Sequence, residues 1–331
     1  MIIRTTAYPR AALIGNPSDG YFGKTIAFTF AEFSTHVTLY ESPELEIVPN
    51  HRDGSTFASI ADLCDDVRRF GYYGGIRLLK SAIKSFYSYC LENDIDLHER
   101  NFTIRYESDI PNLVGLAGSS AIVTATLRAL LAFYGVNIPK PQLANLIRAV
   151  ENSELGISAG LQDRVAQVYQ GMVYMDFDKS LIEKQGFGHY VPLQPAELPP
   201  FYIAYRTDLS EGSEVFHNNI RERFERAEPE VVEAMAFWAD LTVQAKAALE
   251  CGDWSKLGAL MNANFDKRKQ IYQLSEGNLR MVETARALGA SAKFPGSGGA
   301  IIGIYSDEST YEKLTAAFTA QNIRILKPTL I

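Results

Sequence analysis

The sequence predicts an α+β protein of two domains in which helices cover sheets. Its 331 residues are enough for two compact domains. The apolar pattern switches repeatedly between alternation and helical spacing, and strands and helices that take turns along a chain form helix-covered sheets. The stretch from Pro192 to Pro200 has the composition of a domain boundary, and the pattern changes beyond it.

Ile2 to Ile14 alternates weakly and is interrupted by Pro9, which reads as an edge or bent strand leading into the turn Gly15-Asn16-Pro17-Ser18-Asp19-Gly20. Gly23-Lys24-Thr25 imitates the end of a P-loop, but the first glycine of GxxxxGK[ST] falls at Ser18. The residues that follow alternate as a strand where a P-loop demands a helix. That strand, Thr25 to Phe33, is expected to continue into Val37 to Tyr40 and Glu46 to Val48 as a run of antiparallel strands. After a mixed acidic segment, Gly71 to Gly75 opens a helix with Ile76, Leu79, Ile83, Phe86 and Cys90 on one face, Tyr72 and Tyr73 being packing residues. Phe102 to Glu107 is the next strand.

It delivers the chain to Pro111-Asn112-Leu113-Val114-Gly115-Leu116-Ala117-Gly118-Ser119-Ser120-Ala121, followed by an apolar helix to about Tyr134. Glycines let a loop turn its N–H groups inward as an anion nest, and the positive end of the helix behind it suits a phosphate. Ser119 and Ser120 can cap the helix or bind a metal ion, so an ordinary glycine turn with a serine N-cap is the alternative. A helix from Pro141 to about Glu154 puts Glu151 and Glu154 near its end. Gly156 to Ala166 is a turn-rich loop that leaves Asp163 in the first turn of a short helix beside Arg164. An acidic residue there is either an electrostatic cap or a carboxylate placed to orient a hydroxyl and take its proton. Strands at Gly171 to Phe177 and Phe201 to Tyr205 follow, then helices over Ser213 to Ala227, Pro229 to Glu250, Trp254 to Leu274 and Asn278 to Leu288. The chain finishes with a strand to Phe294, the loop Pro295-Gly296-Ser297-Gly298-Gly299, a strand Ala300 to Tyr305, a helix Glu308 to Gln321 and a strand Ile323 to Lys327.

A hydrophobic content of 47% and 21% charged residues are ordinary for a globular protein. A net charge of -7 gives no general attraction to nucleic acid or to an anionic membrane, so small molecules are the expected partners. Cys64, Cys90 and Cys251 are far apart with no CxxC spacing, which supports neither a disulfide framework nor a zinc site and fits a reducing cytoplasm. The opening MIIRTTAYPRAALIG lacks the sustained apolar core of a signal peptide, and no run approaches a membrane span.

The three glycine-rich stretches, with Gly160-Leu161-Gln162-Asp163 between the second and third, resemble the GHMP kinase superfamily of small-molecule kinases over nearly the whole chain. Within it, LIGNPSDGYFGK (13–24), YGGIRLL (73–79), AGLQDRVAQVY (159–169) and MNANFDKR (261–268) are most similar to the glucuronokinase branch. The resemblance implies the two-domain GHMP fold. Residues 1–195 form an N-terminal α/β domain with a mixed or antiparallel sheet, residues 196–331 a ferredoxin-like domain, and the active site lies between them. It also implies ATP as donor, Mg²⁺ as cofactor, and the anomeric hydroxyl of D-glucuronate as acceptor, in a cytoplasmic monomer or homodimer. Galacturonate, galactose or arabinose are the alternatives inside the superfamily; a non-catalytic ATP- and sugar-binding sensor is the alternative of another class.

Residue roles follow from the same resemblance. Gly115, Leu116, Ala117, Gly118, Ser119, Ser120 and Ala121 would cradle the ATP phosphates. The loop carries one residue more than the commoner PxxxGLGSSA; alignment from the helix side puts Ser120 on Mg²⁺ with Glu151, leaving Ser119 and Glu154 as the alternatives. Asp163 would take the acceptor's proton, and Arg10 would supply charge near the attacking oxygen and the γ-phosphate. Asn16, Asp19, Gln162, Gly296, Ser297 and Gly298 would contact the substrate, with Arg164, Arg206 and Arg268 as the candidates for a uronate carboxylate.

Overall fold

The structure is a computed structural model and describes residues 1–50, 53, 59, 60, 63, 64, 74–206 and 214–331. Tyr72, Tyr73, most of the acidic segment before them and Ser213 lie outside the described residues. The chain divides into two compact units: Met1–Pro9, Phe33–Asn112 and Ala117–Val168 make one, and Arg10–Glu32, Leu113–Leu116 and Tyr169–Ile331 the other.

In the first unit the sheet runs in the order Ile2–Ala7, Thr35–Ser42, Asn101–Ser108, Glu46–Val48. The first three strands are antiparallel, and Glu46–Val48 pairs parallel to Asn101–Ser108. Alternation sets which face is covered: Val37, Leu39, Phe102, Ile104 and Tyr106 are buried, while His36, Arg105 and Glu107 are exposed. The helix Gly118–Tyr134 packs on this sheet and is itself covered by Gly75–Glu92. Hence it is apolar nearly all round, with Ala121 to Leu127 buried without a break.

The second unit holds two sheets. One runs Arg10–Ile14, Lys24–Thr29, Met172–Asp176, His189–Leu193, antiparallel throughout, with Pro192 tolerated because its strand is an edge. The helix Pro229–Cys251 packs on it. The other has Phe201–Arg206 between Ala300–Ile304 and Ile323–Leu326, antiparallel, and the bridge of Lys293 to Ile302 adds a further edge. Numbered along the chain, that is the spatial order 2-3-1-4 of a ferredoxin-like sheet. Its core joins Tyr202, Phe265, Met281, Val282, Phe294, Leu314 and Phe318.

Several sequence expectations need correction. Ile2 to Ile14 is two strands in two different sheets, because Pro9 has no N–H to continue a ladder. Lys24–Thr29, Thr35–Ser42 and Glu46–Val48 are not one antiparallel run: the first belongs to the other sheet, and the last is parallel to its neighbour. Alternation reveals a strand but not its partner. On Gly75–Glu92 the buried positions are Gly75, Leu78, Leu79, Ala82, Ser85, Phe86 and Cys90, with Ile76 and Ile83 half-buried. The helix expected to reach Glu154 is α-helical over Lys140–Ala149 and widens into a π turn over Val150–Glu154. The structure adds the helix Lys179–Gln185, capped by Asp178 and closed by Gly186, and the strand His189–Leu193, neither of which the sequence pattern signals.

Candidate active site

The loop before the central helix turns on Leu113, Gly115 and Ala117, whose φ values are 58°, 71° and 62°. Repeated left-handed residues are the backbone of an anion nest. Gly118 does not take this role; it is the first residue of Gly118–Tyr134, and the alanine ahead of it carries the left-handed conformation with no side-chain cap. The serine N-cap alternative therefore falls away, and the amides of the first turn keep their capacity for an anion. Gln167, not singled out from the sequence, donates through Nε2 to Ala117 O at 2.9 Å and to Tyr8 O at 3.0 Å, which fixes the turn.

Ser119 and Ser120 go different ways. Ser119 donates to Glu151 Oε1 at 2.8 Å, whereas Ser120, fully buried, donates back to Ala117 O at 3.2 Å. The π turn explains the neighbouring carboxylates: it directs Glu151 inward to 0% exposure and leaves Glu154 at the surface against Lys84. Glu151 Oε2 accepts from Arg164 Nε at 2.8 Å and again from Nη2. Arg164 also donates from Nη1 to Gly160 O at 3.0 Å and lies 3.3 Å from Asp163 Oδ2. Asp163 is thus a half-buried carboxylate beside a buried cation, at the start of the helix Gln162–Tyr169. Gln162 is buried, and its Oε1 has no partner among the described residues.

In the second unit the loop after Phe294 packs backbone to backbone on Gly115. A Cβ on Gly296 would sit 2.2 Å from Gly115 O, and one on Gly115 would sit 2.9 Å from Ser297 N, so both positions demand glycine. Cations hold this arrangement. Arg10 donates to Pro295 O and, at 3.4 Å, to Gly115 O, while its own N–H donates to Leu116 O at 3.1 Å. Arg268, 4% exposed, donates to Gly296 O at 2.9 Å and Ser297 O at 3.4 Å, with the rings of Tyr272 and Phe294 on it. Burial lowers its pKa. Asn278 accepts from Gly299 N at 2.9 Å, its amide facing Gly298. Arg206 donates its backbone N–H to Gly299 O at 2.8 Å.

Asn16 does not present its side chain to a ligand. Its Oδ1 accepts from Lys293 Nζ at 2.6 Å, its Nδ2 donates to Phe294 O at 3.2 Å, and Asn264 binds both Asn16 O and Gly15 N. Lys293 also donates to Ala12 O and Phe294 O, each at 2.8 Å; burial first, then Arg268 and Arg10, hold it well below the usual lysine range. Sequence reading missed Lys293, because a lysine in an apolar strand says nothing of burial. Asp19 lies half-buried in the 3-10 turn Ser18–Tyr21, and its charge reaches Arg268 and Tyr272.

In the first unit a helix start with open amides and a buried carboxylate beside a serine suit phosphate groups, and in the second unit the paired glycine loops bring backbone amides together. The family model for the GHMP kinases N terminal domain matches residues 77–171, and that for GHMP kinases C terminal matches residues 245–324. Glucuronokinase 1 of Arabidopsis thaliana is 41% identical over 334 residues, covering 98% of this chain and 92% of that protein. Probable glucuronokinase 2 of the same plant is 44% identical over 303 residues, covering 89% and 82%. Among solved structures, Streptococcus pneumoniae phosphomevalonate kinase matches with a TM-score of 0.75 and 14% identity over 100% of both chains, a likeness of fold alone. The chain belongs to the GHMP kinase superfamily, whose members move a phosphate from ATP to a small molecule. No helix among the described residues is long and apolar enough to cross a membrane.

Proposed function

We propose that the protein transfers the γ-phosphate of ATP to the anomeric hydroxyl of D-glucuronate, giving D-glucuronate 1-phosphate and ADP. The observation that carries this reading is the 41% identity to Glucuronokinase 1 across 98% of the chain. Phosphoryl transfer asks a protein for positioning and for neutralisation of charge, and the residues divide on those lines. The nest at 113–121 and the amides of Gly118–Tyr134 receive the ATP phosphates. Asp163 accepts the hydroxyl proton as the acceptor oxygen bonds to the γ-phosphorus and the bond to the ADP oxygen breaks. Arg10 supplies positive charge to the transferring group. Gly296, Ser297 and Gly298 bring backbone to the ligands, while Asp19 and Gln162 have the oxygens to read sugar hydroxyls.

Among the described residues no group of three or more His, Cys, Asp or Glu could hold a metal ion. Glu151 and a first-turn serine still fit Mg²⁺, a hard cation content with one carboxylate, phosphate oxygens and water. The bond from Ser119 to Glu151 favours Ser119 over Ser120. When bound, Mg²⁺ neutralises phosphate charge. Separate domains at 1–195 and 196–331, supported by family matches on either side of residue 195, belong to the same reading, as do a cytoplasmic location and a monomer or homodimer.

The test is incubation with Mg-ATP and D-glucuronate, D-galacturonate, D-galactose or L-arabinose, with sugar 1-phosphate read by phosphorus NMR. Glucuronate 1-phosphate well above the other products is expected; preference for another sugar, or no transfer with ATP bound, would overturn the reading.

A further inference from the structure

An acceptor that carries a carboxylate needs a cation whose N–H groups are open to it, and the arginines of the motifs are committed elsewhere. Arg164 gives Nε and Nη2 to Glu151 and Nη1 to Gly160 O. Arg268 gives both Nη groups to the carbonyls of Gly296 and Ser297. Arg206 lies against the backbone at Gly277, where a Cβ would come within 2.1 Å of Nη1.

Arg221 is different. It stands exposed on the helix Glu214–Glu225, with its guanidinium carbon 5.4 Å from the centroid of the Tyr21 ring. Among the described residues it makes no ion pair. Tyr21 is a fixed platform: it is buried, and its ring lies 5.0 Å from that of Phe224, about one turn further along the same helix. Burial pushes its hydroxyl up to about 12, with Arg221 opposing, so the ring under the cation is a neutral phenol. An arginine held over an aromatic face keeps a planar fork of N–H donors for an anion. On that side Gly20 supplies no side chain; a Cβ there would already sit 3.7 Å from Arg221 Nη2. The turn beneath, Ser18–Tyr21, carries Asp19 and belongs to the stretch GNPSDG.

We propose that Arg221, seated on Tyr21, binds the carboxylate of a uronate acceptor and so selects uronates over neutral sugars. The assignment rests on the kinase reading above.

The experiment compares the full chain with Arg221→Gln and Arg221→Lys under Mg-ATP. The acceptors are D-glucuronate and D-glucuronamide, which keeps the ring without the charge; glucuronamide is read as substrate or as competitive inhibitor. Arg221→Gln should raise the glucuronate KM about 10- to 100-fold, the range for charge-assisted hydrogen bonds. It should leave kcat, the ATP KM and the glucuronamide constant near their original values, and Arg221→Lys should recover part of the loss. Equal effects on both acceptors, or none on either, would overturn the assignment while the unaltered protein still phosphorylates glucuronate. If the unaltered protein phosphorylates no uronate, the functional reading fails and the assignment fails with it.

Discussion

Replacing Lys293 with methionine should change how stability depends on pH more than it changes stability at pH 7. Lys293 is 1% exposed, and its Nζ donates to Ala12 O, Asn16 Oδ1 and Phe294 O. Phe294 O keeps Asn16 Nδ2 as a donor in the variant, so Ala12 O and Asn16 Oδ1 are the acceptors that lose theirs. An acceptor left unpaired costs about 1–3 kcal/mol. Removing a desolvated ammonium offsets a similar amount, since burying an ion costs several kcal/mol. Near neutral pH the two terms oppose each other. The pH dependence has no such cancellation. Lys293 sits well below its ordinary value when folded, through burial and the repulsion of Arg268 and Arg10. Between that lowered value and the ordinary lysine value of about 10.4 the unfolded chain holds the extra proton, so stability rises with pH by up to about 1.4 kcal/mol per pH unit. The gain is complete above the unfolded value and is lost as pH falls through the folded one. Cys90, whose thiol is pushed up by burial, titrates with the opposite sign, and the difference between the two proteins removes it. Urea unfolding from pH 7 to 9.5 is the assay, below the titration of the buried tyrosines. The stability of the wild type minus that of the variant should rise with pH; a difference that stays flat or falls would refute the argument.

Gly296→Ala should lower stability by about 3 kcal/mol or more in urea unfolding, because its Cβ meets rigid backbone at 2.2 Å from Gly115 O; Gly118→Ala, whose nearest atom is Ile110 Cγ2 at 3.4 Å, should be tolerated. Ser119→Ala should raise the Mg²⁺ concentration for half-maximal rate about 10- to 100-fold, while Ser120→Ala, which removes only a bond to Ala117 O, should leave it near wild type. Glu151→Gln removes the carboxylate charge buried against Arg164, which keeps Gly160 O and Asp163, and should cost about 1.5–3 kcal/mol in the same unfolding assay. Asp163→Asn should keep ATP binding by calorimetry and lower turnover by about 10²- to 10⁴-fold, and near-normal turnover would remove Asp163 from the mechanism.

Local grammar was legible in the sequence, and long-range pairing was not. Gly118–Tyr134, Pro229–Cys251 and the strand Asn101–Ser108 fall where periodicity put them, within a few residues. Rejection of the P-loop holds, since Lys24 opens a strand. What periodicity could not show is that Pro9 separates two sheets, because a strand's partner depends on chain that lies far away in sequence. The outward turn of Glu154 and the inward turn of Glu151 depend on one widened turn at the end of an otherwise regular helix. Spacing taken from an ideal helix cannot foresee it. The choice between Ser119 and Ser120 turned on an extra loop residue that the structure absorbs by placing Ala117 in the left-handed region.

Residue type alone also misleads about which polar groups meet a ligand. A buried polar group left unpaired is costly, so its partners indicate its task. Asn16 gives both ends of its amide to Lys293 and Phe294 O, Arg164 gives its fork to Glu151, and Arg268 gives its fork to loop carbonyls. Each has a motif residue's address and a structural residue's bonds. Among the described residues Gln162 Oε1 is buried without a partner, and the exposed Arg221 rests on an aromatic ring with no carboxylate paired to it. Groups of that kind gain most from a sugar hydroxyl or an anion. Acceptor choice in this chain should therefore respond to Gln162 and Arg221 more sharply than to the arginines that the motifs advertise.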